Sequence, residues 1–341
     1  MINHLTGAVL QNLNKPLKLI KNISIPNLKK DQVLVKMKYT AICGSQLFEI
    51  NGQRGKNLYL PHLLGHEGTG YVVKTGFKNS KFKKNDKVFL SWIKSNKKKY
   101  NKICYTHPDK KKTINAGPVT TFSNYTIVSD NCVYKLPKKI NLKKGVLLGC
   151  ALPTGAGMVF NQSEKLNKKN VLVIGAGGIG VSSILALKAK KTKKIIVYEV
   201  NKKKIIFLKK FFKNIDFCNN VDKLKKNYFD YVFECSGKSE NIELGFELLK
   251  NDGKCIFATH PKFNKKITFN PHDFIKGKKI EGSWGGNVTF SKDLKKLTKL
   301  ILNIKFIEKI FFKKTYSLLN INKAILDFKN GKNIRTLIKL G

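Results

Sequence analysis

The stretch Val171–Glu199, VLVIGAGGIGVSSILALKAKKTKKIIVYE, decides the reading of this 341-residue chain. Val171 to Ile174 is a short, wholly apolar run, the pattern of a strand buried on both faces. It leads straight into Gly175-Ala176-Gly177-Gly178-Ile179-Gly180 and then into an apolar helical run from Val181 to Ala189. A second apolar strand pattern, Ile195 to Tyr198, ends in an acid, Glu199. Strand, glycine turn, helix, strand and acid in this order make a dinucleotide-binding βαβ unit. Gly175 permits the tight turn, Gly177 lets the backbone approach a pyrophosphate, and Gly180 lets helix and strand pack closely. Gly178 and Ile179 stand at the helix N-terminus, whose free N–H groups and positive dipole end favour phosphate. Glu199 can accept hydrogen bonds from both ribose hydroxyls and repels a 2′-phosphate, which favours NAD over NADP. The competing reading of Val171 to Ala189 is a membrane-spanning helix, since its length is about what a bilayer needs. Four glycines and two serines interrupt the run, lysines follow at once and no second hydrophobic segment exists.

Outward from that unit, 341 residues allow two domains and a large core, and a hydrophobic fraction of 42% is ordinary. The net charge of +46 is not. It invites a nucleic-acid or membrane partner. Yet Arg54 and Arg335 are the only arginines, and lysine is spread in short runs through every segment. A nucleic-acid site usually clusters arginine and aromatics, so solvated surface lysines are the better reading and no specific nucleic-acid partner is expected. Seven cysteines without a disulfide framework, and an opening without a signal-peptide pattern, point to a reducing, cytoplasmic compartment.

Residues 1 to about 150 read as short strands and turns: Asp31 to Lys38, Gly70 to Lys74, Asp86 to Leu90 and Tyr125 to Val128 alternate or are β-branched, and no helical period persists. Three places in this half carry chemistry. They are Cys43-Gly44-Ser45-Gln46, Gly65-His66-Glu67-Gly68-Thr69-Gly70 and Cys150-Ala151-Leu152-Pro153-Thr154-Gly155-Ala156-Gly157. Two thiolates and an imidazole from separate segments can make a three-ligand zinc site with an open fourth position. Each alone has an ordinary explanation, a buried small hydrophobe or a core histidine. That explanation weakens because all three sit beside glycine-rich turns and precede a dinucleotide unit.

On these motifs the chain resembles the zinc-dependent medium-chain dehydrogenase/reductase superfamily, the alcohol dehydrogenase-like enzymes. CGS at 43–45, GHEGTG at 65–70, CALPTGAG at 150–157 and GAGGIG at 175–180 fall in that family's order, with Glu199 placed 24 residues after Gly175. Segments around Gly282-Ser283-Trp284-Gly285-Gly286 and Gly331 to Thr336 continue the likeness. The resemblance implies an α/β fold: a GroES-like β-rich catalytic domain over 1–151, completed by 287–341, and a Rossmann doubly wound parallel-sheet coenzyme domain over 152–286. It implies an active site in the cleft between them. It also implies one catalytic zinc on Cys43, His66 and Cys150, with Glu67 as an acid behind the metal that coordinates it transiently. Ser45 matches a proton relay, Thr154 a residue against the nicotinamide, and Gly175, Gly177, Gly178, Ile179, Gly180, Glu199 and Lys204 contacts to the dinucleotide. Arg335 matches a pyrophosphate-binding arginine. The implied reaction is hydride transfer between an alcohol and NAD by a homo-oligomer, dimer or tetramer. Polyols, sugars and related alcohols fit, and the basic surface tilts the expectation towards anionic ones.

The chain also departs from the family. Gln46 replaces the aspartate that normally orients the ligand histidine, so weaker metal binding is expected. Phe48 replaces a relay histidine, leaving His62 or water to finish the relay. Between Leu90 and Pro118 only Cys104 remains where many relatives carry four cysteines, so no structural zinc is expected and the segment reads as a lysine-rich surface loop. His260 reads as a turn histidine. A zinc-free quinone- or enoyl-type reductase and a non-catalytic cofactor- or polyanion-binding protein are the alternatives.

Overall fold

Alternating short strands and turns in the first half close into a barrel and an adjoining sheet. A computed structural model describes residues 2–77 and 80–341. It divides into two units, Met1–Cys150 with Lys305–Gly341, and Ala151–Ile304. In the first unit, strands His4–Leu10, Lys18–Ser24, Ile103–Thr106, Thr113–Ala116 and His62–Leu63 form a closed barrel. Leu5, Val9, Ile23, Ile103, Tyr105 and Ile114 fill its core. The adjoining sheet is centred on Gln32–Ile42, which pairs antiparallel with Glu67–Thr75, Tyr125–Ser129 and Thr336–Lys339. Central position explains the near-complete burial of that strand, and it carries the chain to Cys43.

Two expectations are corrected here. The segment between Leu90 and Pro118 is not all surface loop, since Ile103–Thr106 and Thr113–Ala116 pair antiparallel in it. Alternation inside the lysine-rich run, with Ile103, Tyr105 and Ile114 turned inward, drives that hairpin. Helix is also present in the first half, as Gly44–Ile50, Leu142–Gly145 and others. At seven residues Gly44–Ile50 is too short to show a 3.6-residue period.

The second unit is built on six parallel strands. Their spatial order is Asp216–Cys218, Lys194–Tyr198, Asn170–Ile174, Phe229–Glu234, Leu249–Phe257, Lys279–Gly282, that is third, second, first, fourth, fifth, sixth in the chain. Burial on both faces explains why Val171 to Ile174 and Phe229 to Glu234 lack exposed residues. The helix Gly178–Ala189 follows the first strand, and Ala151–Asn161 packs against it. Helix Phe290–Leu302 touches both of these helices. That contact is why the second unit runs to Ile304, whereas the sequence suggested a return at residue 287. No helix among the described residues is long and apolar enough to cross a membrane.

Candidate functional site

Three turns of the first unit bring the metal-type donors together. Strand Gln32–Ile42 ends at Cys43, whose extended backbone starts the helix Gly44–Ile50. Gly65, at φ 89°, turns the chain into His66 and strand Glu67–Thr75. A Cβ there would meet Thr121 Oγ1 at 2.3 Å, so only glycine fits. Cys150 follows the 3-10 turn Val146–Gly149. Among the described residues, Cys43, His66, Glu67 and Cys150 are the one such group, with a ligand atom from each inside 4.8 Å of the others. The two sulfurs lie 3.9 Å apart. A tetrahedral zinc with bonds of about 2.3 Å to sulfur separates two thiolates by roughly 3.7 Å, so the donor set fits the ion. His66 Nε2 is buried without a hydrogen-bond partner, the state of a ring nitrogen left for a ligand.

The surroundings shape the charge. The hydrogen bond from Cys150 and the nearby Arg335 and His66 hold the Cys43 thiol well below the usual range, although burial opposes this. Cys150 is pushed up by its bond to Cys43 and by burial. Burial raises Glu67 to about 7, against the pull of Arg335. One sulfur is therefore disposed to be a thiolate beside a cationic guanidinium, the form that binds metal.

The second unit carries the glycine turn that the sequence reads as a dinucleotide cradle. Gly175 has φ 87°, and the space beyond Gly177 is open, with no atom within 4 Å of where a Cβ would stand. No side chain caps the helix Gly178–Ala189, which leaves its first-turn N–H groups for an anion. A Cβ on Gly180 would lie 1.9 Å from the Gly175 carbonyl oxygen, a backbone atom that cannot move aside. Gly180→Ala is expected to destabilise the protein by about 3 kcal/mol and to weaken dinucleotide binding, read by denaturant titration and by quenching of protein fluorescence. Unchanged values would show that the turn relaxes. Glu199 is buried and accepts from Ala176 N at 2.9 Å and Asn201 N at 3.0 Å, and its ion pair with Lys204 Nζ spans 2.8 Å. Burial works to raise its pKa, but Lys204 and the backbone donors hold it below the usual carboxylate value.

Residues 29–138 match the family model described as an alcohol dehydrogenase GroES-like domain, and residues 178–303 match a zinc-binding dehydrogenase model. Together they span more than half of the chain. The chain belongs to the zinc-dependent medium-chain dehydrogenase/reductase superfamily. It is 28% identical to the alcohol dehydrogenase class-3 of Drosophila melanogaster over 98% of this chain and 97% of that one. It is 26% identical to an S-(hydroxymethyl)glutathione dehydrogenase of Photobacterium damsela subsp. piscicida over 95% and 96%. Benzyl alcohol dehydrogenase from Acinetobacter calcoaceticus shares the fold at TM-score 0.85 over the whole of both chains, with 22% identity.

Within this dehydrogenase the other sequence-derived positions fall as follows. Ser45 lies in the first turn of Gly44–Ile50, with a buried, unpartnered Oγ. Thr154 is buried in the helix Ala151–Asn161 of the second unit. His62 is held by its own neighbours: Nδ1 faces Leu63 O at 2.9 Å, and Nε2 lies 3.0 Å from Asn57 Nδ2 and 3.5 Å from Glu49. Arg335 is 2% exposed in the first unit, with Nη1 donating to Ile42 O at 3.2 Å and Nη2 2.9 Å from Glu67 Oε1. Cys104 donates to Asn115 Oδ1. His260 packs edge-on against Trp284.

Two residues escaped the sequence reading in part. Glu67 was expected near the metal, but the guanidinium that neutralises it was not. One of only two arginines in a lysine-rich chain was the available signal, since the guanidinium suits buried pairs. Glu234, at the end of strand Phe229–Glu234, accepts from Ser236 N at 2.6 Å, Gly237 N at 3.2 Å and Thr259 Oγ1 at 3.1 Å. It fixes the Ser236 turn against which Gly175 closes. An acid at the C-terminal end of a parallel strand was the clue.

Proposed function

We propose that this enzyme is an NAD-dependent dehydrogenase with one catalytic zinc, interconverting an alcohol and its aldehyde or ketone. The observation that carries the reading is the unpartnered Nε2 of His66, grouped with two sulfurs and a carboxylate whose ligand atoms all lie within 4.8 Å of one another. Cys43, His66 and Cys150 would hold the zinc, with Glu67 as the exchangeable fourth group. When bound, zinc supplies a Lewis acid that lowers the pKa of an alcohol oxygen. Ser45 Oγ, buried and without a partner, takes up and passes on the alcohol proton. Gly175, Gly177, Gly178, Ile179 and Gly180 hold the pyrophosphate, Glu199 and Lys204 the adenosine ribose, and Thr154 and Arg335 complete the cofactor contacts. Polyols, sugars and related alcohols are the substrate class, and the net charge of +46 favours anionic members by attraction. Seven cysteines without a disulfide among the described residues fit a reducing cytoplasmic setting, and the family likeness supports a homo-oligomer.

The test is metal analysis of the purified protein, joined to a screen of alcohols for NAD reduction with and without zinc. About one zinc per chain and zinc-dependent NADH formation are expected. Turnover of a quinone or enone by zinc-free protein would replace this reading with that of a zinc-free reductase. NAD is expected to be preferred over NADP, and Glu199→Ser to narrow that preference by about 10- to 100-fold, as loss of one or two charged hydrogen bonds implies. The ratio of kcat/KM values for the two cofactors checks it. An unchanged ratio removes Glu199 from the cofactor site.

A further inference from the structure

Gln46 faces His66 with the end of its side chain that does not suit metal binding. The Cys43 N–H opens the helix Gly44–Ile50 and needs an acceptor, which is Gln46 Oε1 at 2.7 Å. The other end of that amide is then fixed as the NH2 group, and it lies 2.5 Å from His66 Nδ1. An NH2 group can only donate, so Nδ1 must offer its lone pair. In a neutral imidazole the ring proton then sits on Nε2, the nitrogen that points at the sulfurs and has no partner. A metal needs the lone pair there instead.

We infer that Gln46 holds metal-free His66 in the Nε2-protonated tautomer, so that His66 takes a metal only when the Gln46 amide turns over. This rests on the zinc reading above. Turning the amide by half a rotation lets Oε1 accept from Nδ1–H, but it sets the NH2 group against the Cys43 N–H and loses that bond. No orientation of an amide serves both neighbours once the metal is in. A carboxylate serves both, because each oxygen accepts. Gln46 is thus a positioning residue that keeps the zinc site weak.

Gln46→Glu changes almost no volume and supplies that carboxylate. Zinc affinity is measured by competition with a chromogenic chelator, and the His66 tautomer by nitrogen-15 NMR of metal-free protein labelled at its six histidines. The signal missing from His66→Asn gives the assignment. Wild-type His66 is expected to carry its proton on Nε2 and the Gln46→Glu protein on Nδ1, with zinc bound about 10- to 100-fold more tightly. A wild-type ring already protonated on Nδ1 overturns the inference. So does tighter zinc with no tautomer change, which is the effect of added negative charge alone, and so does unchanged affinity. Wild type that takes up no more zinc than Cys43→Ala would instead remove the zinc reading itself, and this inference with it.

Discussion

Cys43→Ala and His66→Ala are each expected to abolish zinc retention and to lower kcat/KM for alcohol oxidation by about 1,000-fold or more. The size follows from the chemistry a metal supplies, several kcal/mol of charge stabilisation, at about 1.4 kcal/mol for each tenfold in rate. Both side chains lie in a group that can meet one ion, and nothing else among the described residues offers such a donor set. The glycine turn at 175–180, Glu199 and Lys204 lie in the other unit, so NAD binding by these variants is expected to survive within a few-fold. That pairing makes the experiment decisive. Loss of activity with intact NAD binding and intact unfolding behaviour assigns the defect to the metal, whereas loss of everything reports misfolding. Full activity in a variant shown to be free of zinc would end the zinc mechanism.

How much of this was legible beforehand depends on the range of each interaction. The βαβ unit is local: strand, glycine turn, helix and acid lie within one short stretch, and the strand order of the parallel sheet follows from its connections. The candidate metal residues stand out by motif, although the strand that delivers Cys43 runs four residues past the Lys38 where alternation seemed to end. Both neighbours of that overlooked end are distant in the chain, Thr336–Lys339 and Glu67–Thr75, and pairing with them extends a strand whatever its local pattern. The hairpin at Ile103–Thr106 was hidden by its lysines, because only three inward residues carry the signal. Departure at Gln46 was visible, but its meaning was not. Which end of an amide faces the histidine is decided by a backbone N–H three residues earlier, and no motif records that.

The same limit applies to Arg335, where the second large effect is expected. Its guanidinium is buried beside a carboxylate that is 0% exposed, and the contact is close without the alignment of a hydrogen bond. Removing one partner of a buried pair leaves an uncompensated charge, so Arg335→Met should destabilise the metal-free protein by about 3–5 kcal/mol. Glu67→Gln in the same chain should restore part of that loss, since the stranded carboxylate is then gone. The pH dependence has a definite sign. Glu67 sits at about 7 in the folded protein, above the value of 4.5 for an unperturbed glutamate. Between those values the folded state holds more protons than the unfolded chain, so this group lowers stability as pH rises. Arg335 limits the fall by pulling the carboxyl down; without it, the carboxyl goes higher and the fall extends to higher pH. The stability gap between wild type and Arg335→Met should therefore widen from about pH 5.5 to about pH 8.5, as urea denaturation of the chelator-treated proteins would measure. A gap remains at the lower pH because the Cys43 sulfur also faces the guanidinium. A gap that narrows with pH would mean that the Glu67 carboxylate is not what Arg335 neutralises.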